Sequence, residues 1–207
     1  MRRINSLFPP YKLISAILTT TDKLEKPVDA LFFFGRVSAD ANDLLFNLAS
    51  KTYHSGAVEY ILINGLEAKE EYGQSKAEWV KKLNMRFVKK IEFFEPAKTT
   101  AQESRHMVAY AKKKGWKSAV VLAQPHQLAR CMRALIRSMK DAGYWMKIYC
   151  ISPKCNFFEK TAGSQNLFFM ERWKHIGLEY SLIQGVAHNL ATYEELVEYY
   201  RVRESIR

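Results

Sequence analysis

The sequence predicts an α/β fold built on a mainly parallel sheet. Three observations carry that expectation. Short apolar runs that end in glycine or a polar turn alternate with amphipathic helical patterns, the order of a βαβ chain. The runs are apolar on consecutive residues, as strands covered on both faces require. The chain has 207 residues and 48% hydrophobic content, enough to bury one two- or three-layer core. It reads as a single domain over residues 1–207, with an N-terminal helical extension over 1–28 and a mostly helical C-terminal part over 152–207.

Residues 10–23 suggest a helix, with Pro10 tolerated in its first turn. DALFFF (29–34), closed by Gly35, is the first strand. Ser38 can cap a helix to His54; Ala41, Leu44, Leu45, Leu48 and Ala49 follow helical spacing, and Gly56 stops it. VEYILI (58–63) is the second strand and ends at Asn64-Gly65. Ser75 starts a helix to Leu83. The third strand is expected within 86–94, where Val88, Ile91 and Phe93 give its better alternation. Thr100 and Glu103 form a T-x-x-E capping box for a helix to Lys114. Its terminal Lys run suits the helix dipole, and Gly115 ends it. Residues 118–123 are the fourth strand. Pro125 suits the first position of the next helix, which carries Leu128, Cys131, Met132, Leu135, Ile136 and Met139 on one face and stops at Gly143. The fifth strand spans 145–151. Further helices are expected around 167–176 and 193–203.

Composition narrows the function classes. The 32 Lys+Arg against 21 Asp+Glu give a net charge of +11, which attracts phosphates, nucleic acid or anionic lipid. The lysines lie in small clusters at element ends, and no nucleic-acid-binding motif accompanies them. Three cysteines (Cys131, Cys150, Cys155) without C-x-x-C spacing suit a reducing compartment with buried thiols, hence a cytoplasmic location. No apolar run is long enough to span a bilayer. His54, His106, His175 and His188 show no metal-site spacing. Walker-type, GxGxxG, GxSxG and HExxH motifs are absent.

Right-handed crossovers and this element order give a Rossmann-like three-layer sandwich with strand order 3-2-1-4-5. Ligands of such sheets bind beyond the C-terminal strand ends, near the switch between strands 1 and 4. That rule selects Gly35, Arg36, Asn64, Gly65, Glu95, Thr99, Thr100, Gln102, Glu103, Gln124, His126, Gln127 and Arg130. The catalytic candidates are His126, as a general acid or base; Glu95, as a base or an Arg130 partner; and Arg130, as a bidentate anion contact. Thr99 and Thr100 offer hydroxyls at a helix N-terminus suited to anions. Glu103 has its capping role, and Gly35 lets backbone approach a ligand beside Arg36. No metal site is expected.

The same landmarks, in this order over residues 29–137, resemble the YdcF-like, SanA/ElyC-like proteins, the bacterial domain of unknown function family 218. They are Gly35, Asn64-Gly65, the Ser75-Lys76-Ala77-Glu78 helix start, Glu95 leading to Thr99-Thr100, and Arg130. ATYEELVEYYRVR (191–203) is a weaker echo. The chain departs from the family pattern where Lys76 and Gln102 stand in acidic positions and where Gln127-x-x-Arg130 meets a His-x-x-Arg, with His126 one place away. The resemblance implies a nucleotide-like ligand such as S-adenosylmethionine. The leading expectation is therefore a domain that binds a phosphorylated or nucleotide-like small molecule, as a hydrolase or transferase if catalytic. The alternatives are a non-catalytic binding or regulatory module, and a basic nucleic-acid-binding protein.

Overall fold

The computed structural model describes residues 22, 24, 27–34, 39–67, 75–153, 160–162, 169–171 and 186–206. Nine of the elements alternate: β1 (Val28–Phe33), α1 (Ala39–His54), β2 (Val58–Asn64), α2 (Lys76–Asn84), β3 (Ile91–Phe94), α3 (Thr100–Lys114), β4 (Ser118–Leu122), α4 (Pro125–Ala142) and β5 (Lys147–Ile151). Every pairing among these strands is parallel, and their order is β3-β2-β1-β4-β5. The α/β fold and strand order are those expected from sequence. The helix expected over 10–23 falls largely outside the described residues, as do Ser38, Gly35 and Arg36.

Successive strand residues face opposite sides of the sheet, so the apolar runs supply two cores. Phe32, Leu62, Val121 and Ile148 pack on one face with Met107 and Val108 of α3 and Leu128, Met132 and Leu135 of α4. Leu31, Phe33, Ile61, Val120 and Leu122 pack on the other with Leu45 and Phe46 of α1 and Trp79 and Leu83 of α2. Phe33 meets Trp79 edge-on at 4.4 Å between ring centres. The starts of β1 and β4 are bolted together by Asp29, whose Oδ2 accepts from the Lys117 and Ser118 N–H groups, each at 2.8 Å. The helix ends use local chemistry. Ser75 and Glu78 form a capping box on α2, and Gly56, Gly115 and Gly143 take φ of 73°, 73° and 56° after their helices.

The third strand is shorter than expected. Residues 85–87 finish the α2 turn instead, with Phe87 N–H donating to Asn84 O and Val88 N–H to Leu83 O. Phe87 sits in the left-handed region at φ 59° with 78% of its surface exposed. A side chain with a Cβ is strained there and here recovers little burial. Phe87→Gly is expected to stabilise the fold by about 1 kcal/mol, seen as a higher urea midpoint with unchanged m. A fall in midpoint would show that the phenyl ring contributes more than the backbone strain costs.

The C-terminal part also differs from expectation. The helix expected over 167–176 is not formed at Phe169–Glu171, which is strand β7 pairing antiparallel with β6 (Lys160–Ala162). Pairing with the strand just before it in the chain overrides the helical spacing there. Helix α5 (Tyr193–Val202) forms as expected, with a capping box from Thr192 and Glu195. It docks through Tyr199, whose hydroxyl accepts from Ile148 N–H at 2.5 Å and donates to Met146 O at 2.7 Å. Among the described residues no helix is long and apolar enough to cross a membrane.

Candidate functional site at the C-terminal edge of the sheet

The cluster begins at the end of β2. Asn64 is 7% exposed and faces the loop between β3 and α3. Its Oδ1 accepts from Ala97 N–H at 3.1 Å, and its Nδ2 donates to Ala97 O at 2.6 Å. The carboxamide thereby imitates a backbone pairing and holds that loop against the sheet. The neighbouring Gly65 N–H donates to Phe94 O at 3.1 Å. Asn64→Ala is expected to orphan both buried groups of Ala97 and cost about 2 kcal/mol, read by urea denaturation. An unchanged stability would mean that the loop is held by other contacts.

The same Asn64 Nδ2 also lies 3.4 Å from Glu103 Oε1. Glu103 was expected to serve the cap of α3, and it does not. The cap is Thr99, whose Oγ1 accepts from Gln102 N–H at 3.2 Å, while Gln102 Oε1 accepts from Lys98 N–H at 3.0 Å. With the cap one residue earlier, Glu103 takes no part in it. The residue is half-buried. Burial pushes its pKa up to about 7, against the opposing pull of the Asn64 amide and the positive charge of Arg130.

Arg130 comes from the second turn of α4 and donates from Nη1 to Thr100 Oγ1. Asn64 meets Glu103 and Arg130 meets Thr100, so β2, α3 and α4 come together at one edge of the sheet, with the field of Arg130 reaching Glu103. Helix α4 has no acidic residue in its first turn and begins at Pro125 after the N-cap position Gln124. Gln124, His126 and Gln127 are 1%, 3% and 6% exposed, so His126 lies buried in the first turn of the helix. Gln127 Oε1 is buried and has no hydrogen-bond partner among the described residues, an acceptor one turn before Arg130 on the same side of the helix.

No family model, curated protein or solved structure matches this chain.

The remaining predicted residues divide. Thr99 and Gln102 are occupied by the helix cap. Glu95 is exposed, and its backbone carbonyl accepts from His106 Nδ1 at 2.9 Å. Ala97, whose backbone completes the Asn64 clamp, was not foreseen, because an alanine carries no chemical signal. Among the described residues no three of the His, Cys, Asp and Glu side chains gather as a metal site. A groove of about 740 Å³ opens elsewhere, at the N-terminal ends of β4 and β5. Lys117, Tyr144, Trp145, Tyr199 and Val202 help to line it, and it contains none of the residues selected from sequence.

Proposed function

We propose that this domain binds an anionic small molecule, phosphorylated or nucleotide-like, in the crevice between the first turns of α3 and α4. The observation that carries this reading is the meeting of Arg130 and Thr100 beside the Glu103 carboxyl and the Asn64 amide. Arg130 brings a permanent positive charge, and two helix N-termini add partial positive charge at the same edge. Gln127 Oε1 offers an acceptor for a ligand hydroxyl or amine. The crevice lies at strand C-termini, where sheets of this order take ligands. The resemblance to the YdcF-like, SanA/ElyC-like proteins supports the same location through Asn64-Gly65, Thr99-Thr100 and Arg130. For turnover, Glu103 joins His126 and Glu95 as an acid/base candidate, because its carboxyl can hold or release a proton near neutrality.

The test is isothermal titration with AMP and inorganic phosphate at low salt. At least one should bind, and Arg130→Ala should weaken it about tenfold or more while circular dichroism stays unchanged. Failure of both to bind, or binding indifferent to Arg130, would refute the reading.

A further inference from the structure

The proposed crevice contains an acid where an anion site has least use for one. A carboxylate beside a bound anion repels it, so the placement of Glu103 needs a chemical account. Among the described residues three elements supply the groups around it. Helix α3 carries Glu103 itself and, one turn earlier, the Thr100 hydroxyl. Strand β2 presents the Asn64 amide at 3.4 Å from Oε1. Helix α4 presents Arg130, bonded to Thr100, with Gln127 one turn before it. Among the described residues Arg130 is the charged group whose field acts on the Glu103 carboxyl. One cation thus serves both a carboxyl and an incoming anion.

We propose that the crevice takes a phosphate group, free or as a monoester, together with one proton carried on the Glu103 carboxyl. This rests on the anion-binding reading above. In the complex the neutral carboxyl donates its O–H to a phosphate oxygen, and Arg130 balances the anion's charge. The proton comes from solvent when Glu103 is ionised beforehand, so one proton is taken up per anion bound. Desolvation, which raises the pKa of the carboxyl to about 7 before any anion binds, lowers the cost of that uptake. A protonated carboxyl donating to an oxyanion is a charge-assisted hydrogen bond, among the stronger kinds. An ionised carboxylate at the same place would contribute only repulsion.

Sulfate is the clean probe, because its charge is constant across the range and only the protein titrates. Its affinity for the wild-type protein should be level below pH 7 and fall about tenfold per pH unit above it. Titration at pH 8 in buffers of different ionisation enthalpy should show close to one proton taken up per sulfate. Glu103→Gln, which keeps a donor amide of similar shape, should abolish both the slope and the uptake while still binding sulfate. Inorganic phosphate and AMP, compared at pH 6.5, then tell whether the site prefers the free ion or an ester. Sulfate affinity that is level from pH 6 to 9, or a slope that survives in Glu103→Gln, overturns the proton linkage while leaving anion binding in place. If sulfate, phosphate and AMP all fail to bind at every pH, the anion site itself is refuted and the linkage with it.

Discussion

Gly65→Ala should cost about 3 kcal/mol and should disturb the crevice as well as the core. A Cβ built on Gly65 would lie 2.4 Å from Phe94 O, the oxygen to which Gly65 donates its own N–H. That neighbour is backbone, so no side-chain rotation relieves the overlap. The ends of β2 and β3 would have to part. Asn64 precedes Gly65 and Ala97 follows Phe94 in the chain, so parting the strands also strains the Asn64–Ala97 clamp. Urea denaturation should show a lower midpoint. The Ala97 amide, protected in wild type by Asn64 Oδ1, should exchange faster with deuterium. Alanine tolerated at this position with unchanged exchange would mean that the two strands approach less closely than 2.4 Å implies.

Stability should fall with pH through a window set by Glu103, and Glu103→Gln should remove that fall. The folded carboxyl holds its proton to about pH 7, whereas the unfolded chain releases it near the ordinary value of 4.5. Below pH 4.5 both states are protonated and the favourable contribution of the neutral carboxyl is fully present. Between 4.5 and 7 the unfolded state ionises and the folded state resists, so the folded state binds more protons and stability drops as pH rises. Above 7 the loss is complete. At about 1.4 kcal/mol for each pH unit between the two values, it amounts to roughly 3 kcal/mol. The measurement is the difference in unfolding free energy between Glu103→Gln and wild type at pH 5, 6, 7 and 8. That difference should grow in favour of the variant by roughly 3 kcal/mol across the series. Other carboxylates titrate alike in both proteins and cancel, including Glu92, which the Tyr110 hydroxyl at 2.5 Å and Lys114 hold below the usual range. A flat difference would mean that water reaches the Glu103 carboxyl.

Both expectations centre on one short neighbourhood, and they explain what a reader of the chain sees there. Two consecutive threonines precede two consecutive side chains that can accept hydrogen bonds, Gln102 and Glu103. If Thr100 caps α3, Glu103 closes the box. If Thr99 caps it, Gln102 occupies that position and Glu103 is free. Capping preferences alone do not separate the two registers, because Thr is a good cap in either. Packing decides: in the observed register Asn64 holds the loop at Ala97 and Arg130 bonds Thr100. The third strand shows the same limit. Alternation at Val88, Ile91 and Phe93 pointed to a strand within 86–94, but the end of α2 uses 85–87 and Ile91–Phe94 pairs with β2. At Phe169–Glu171 the partner strand β6 outweighs the helical pattern.

What the sequence determined by itself is the architecture. Runs such as DALFFF and VEYILI are apolar on both strand faces, and such strands need helices on each side. Glycines after the helices, Pro125 at the start of α4 and the six-residue apolar face that follows it mark element boundaries through local backbone chemistry. The strand order followed because crossover handedness leaves few alternatives. Tertiary structure alone decided which groups meet at the ligand edge. Whether Glu103 serves a helix cap or the crevice, and whether its proton leaves near pH 4.5 or near 7, depends on Asn64 and Arg130. Those residues lie 39 and 27 positions away in the chain. Desolvation is a property of everything packed around a group, and no local pattern encodes it.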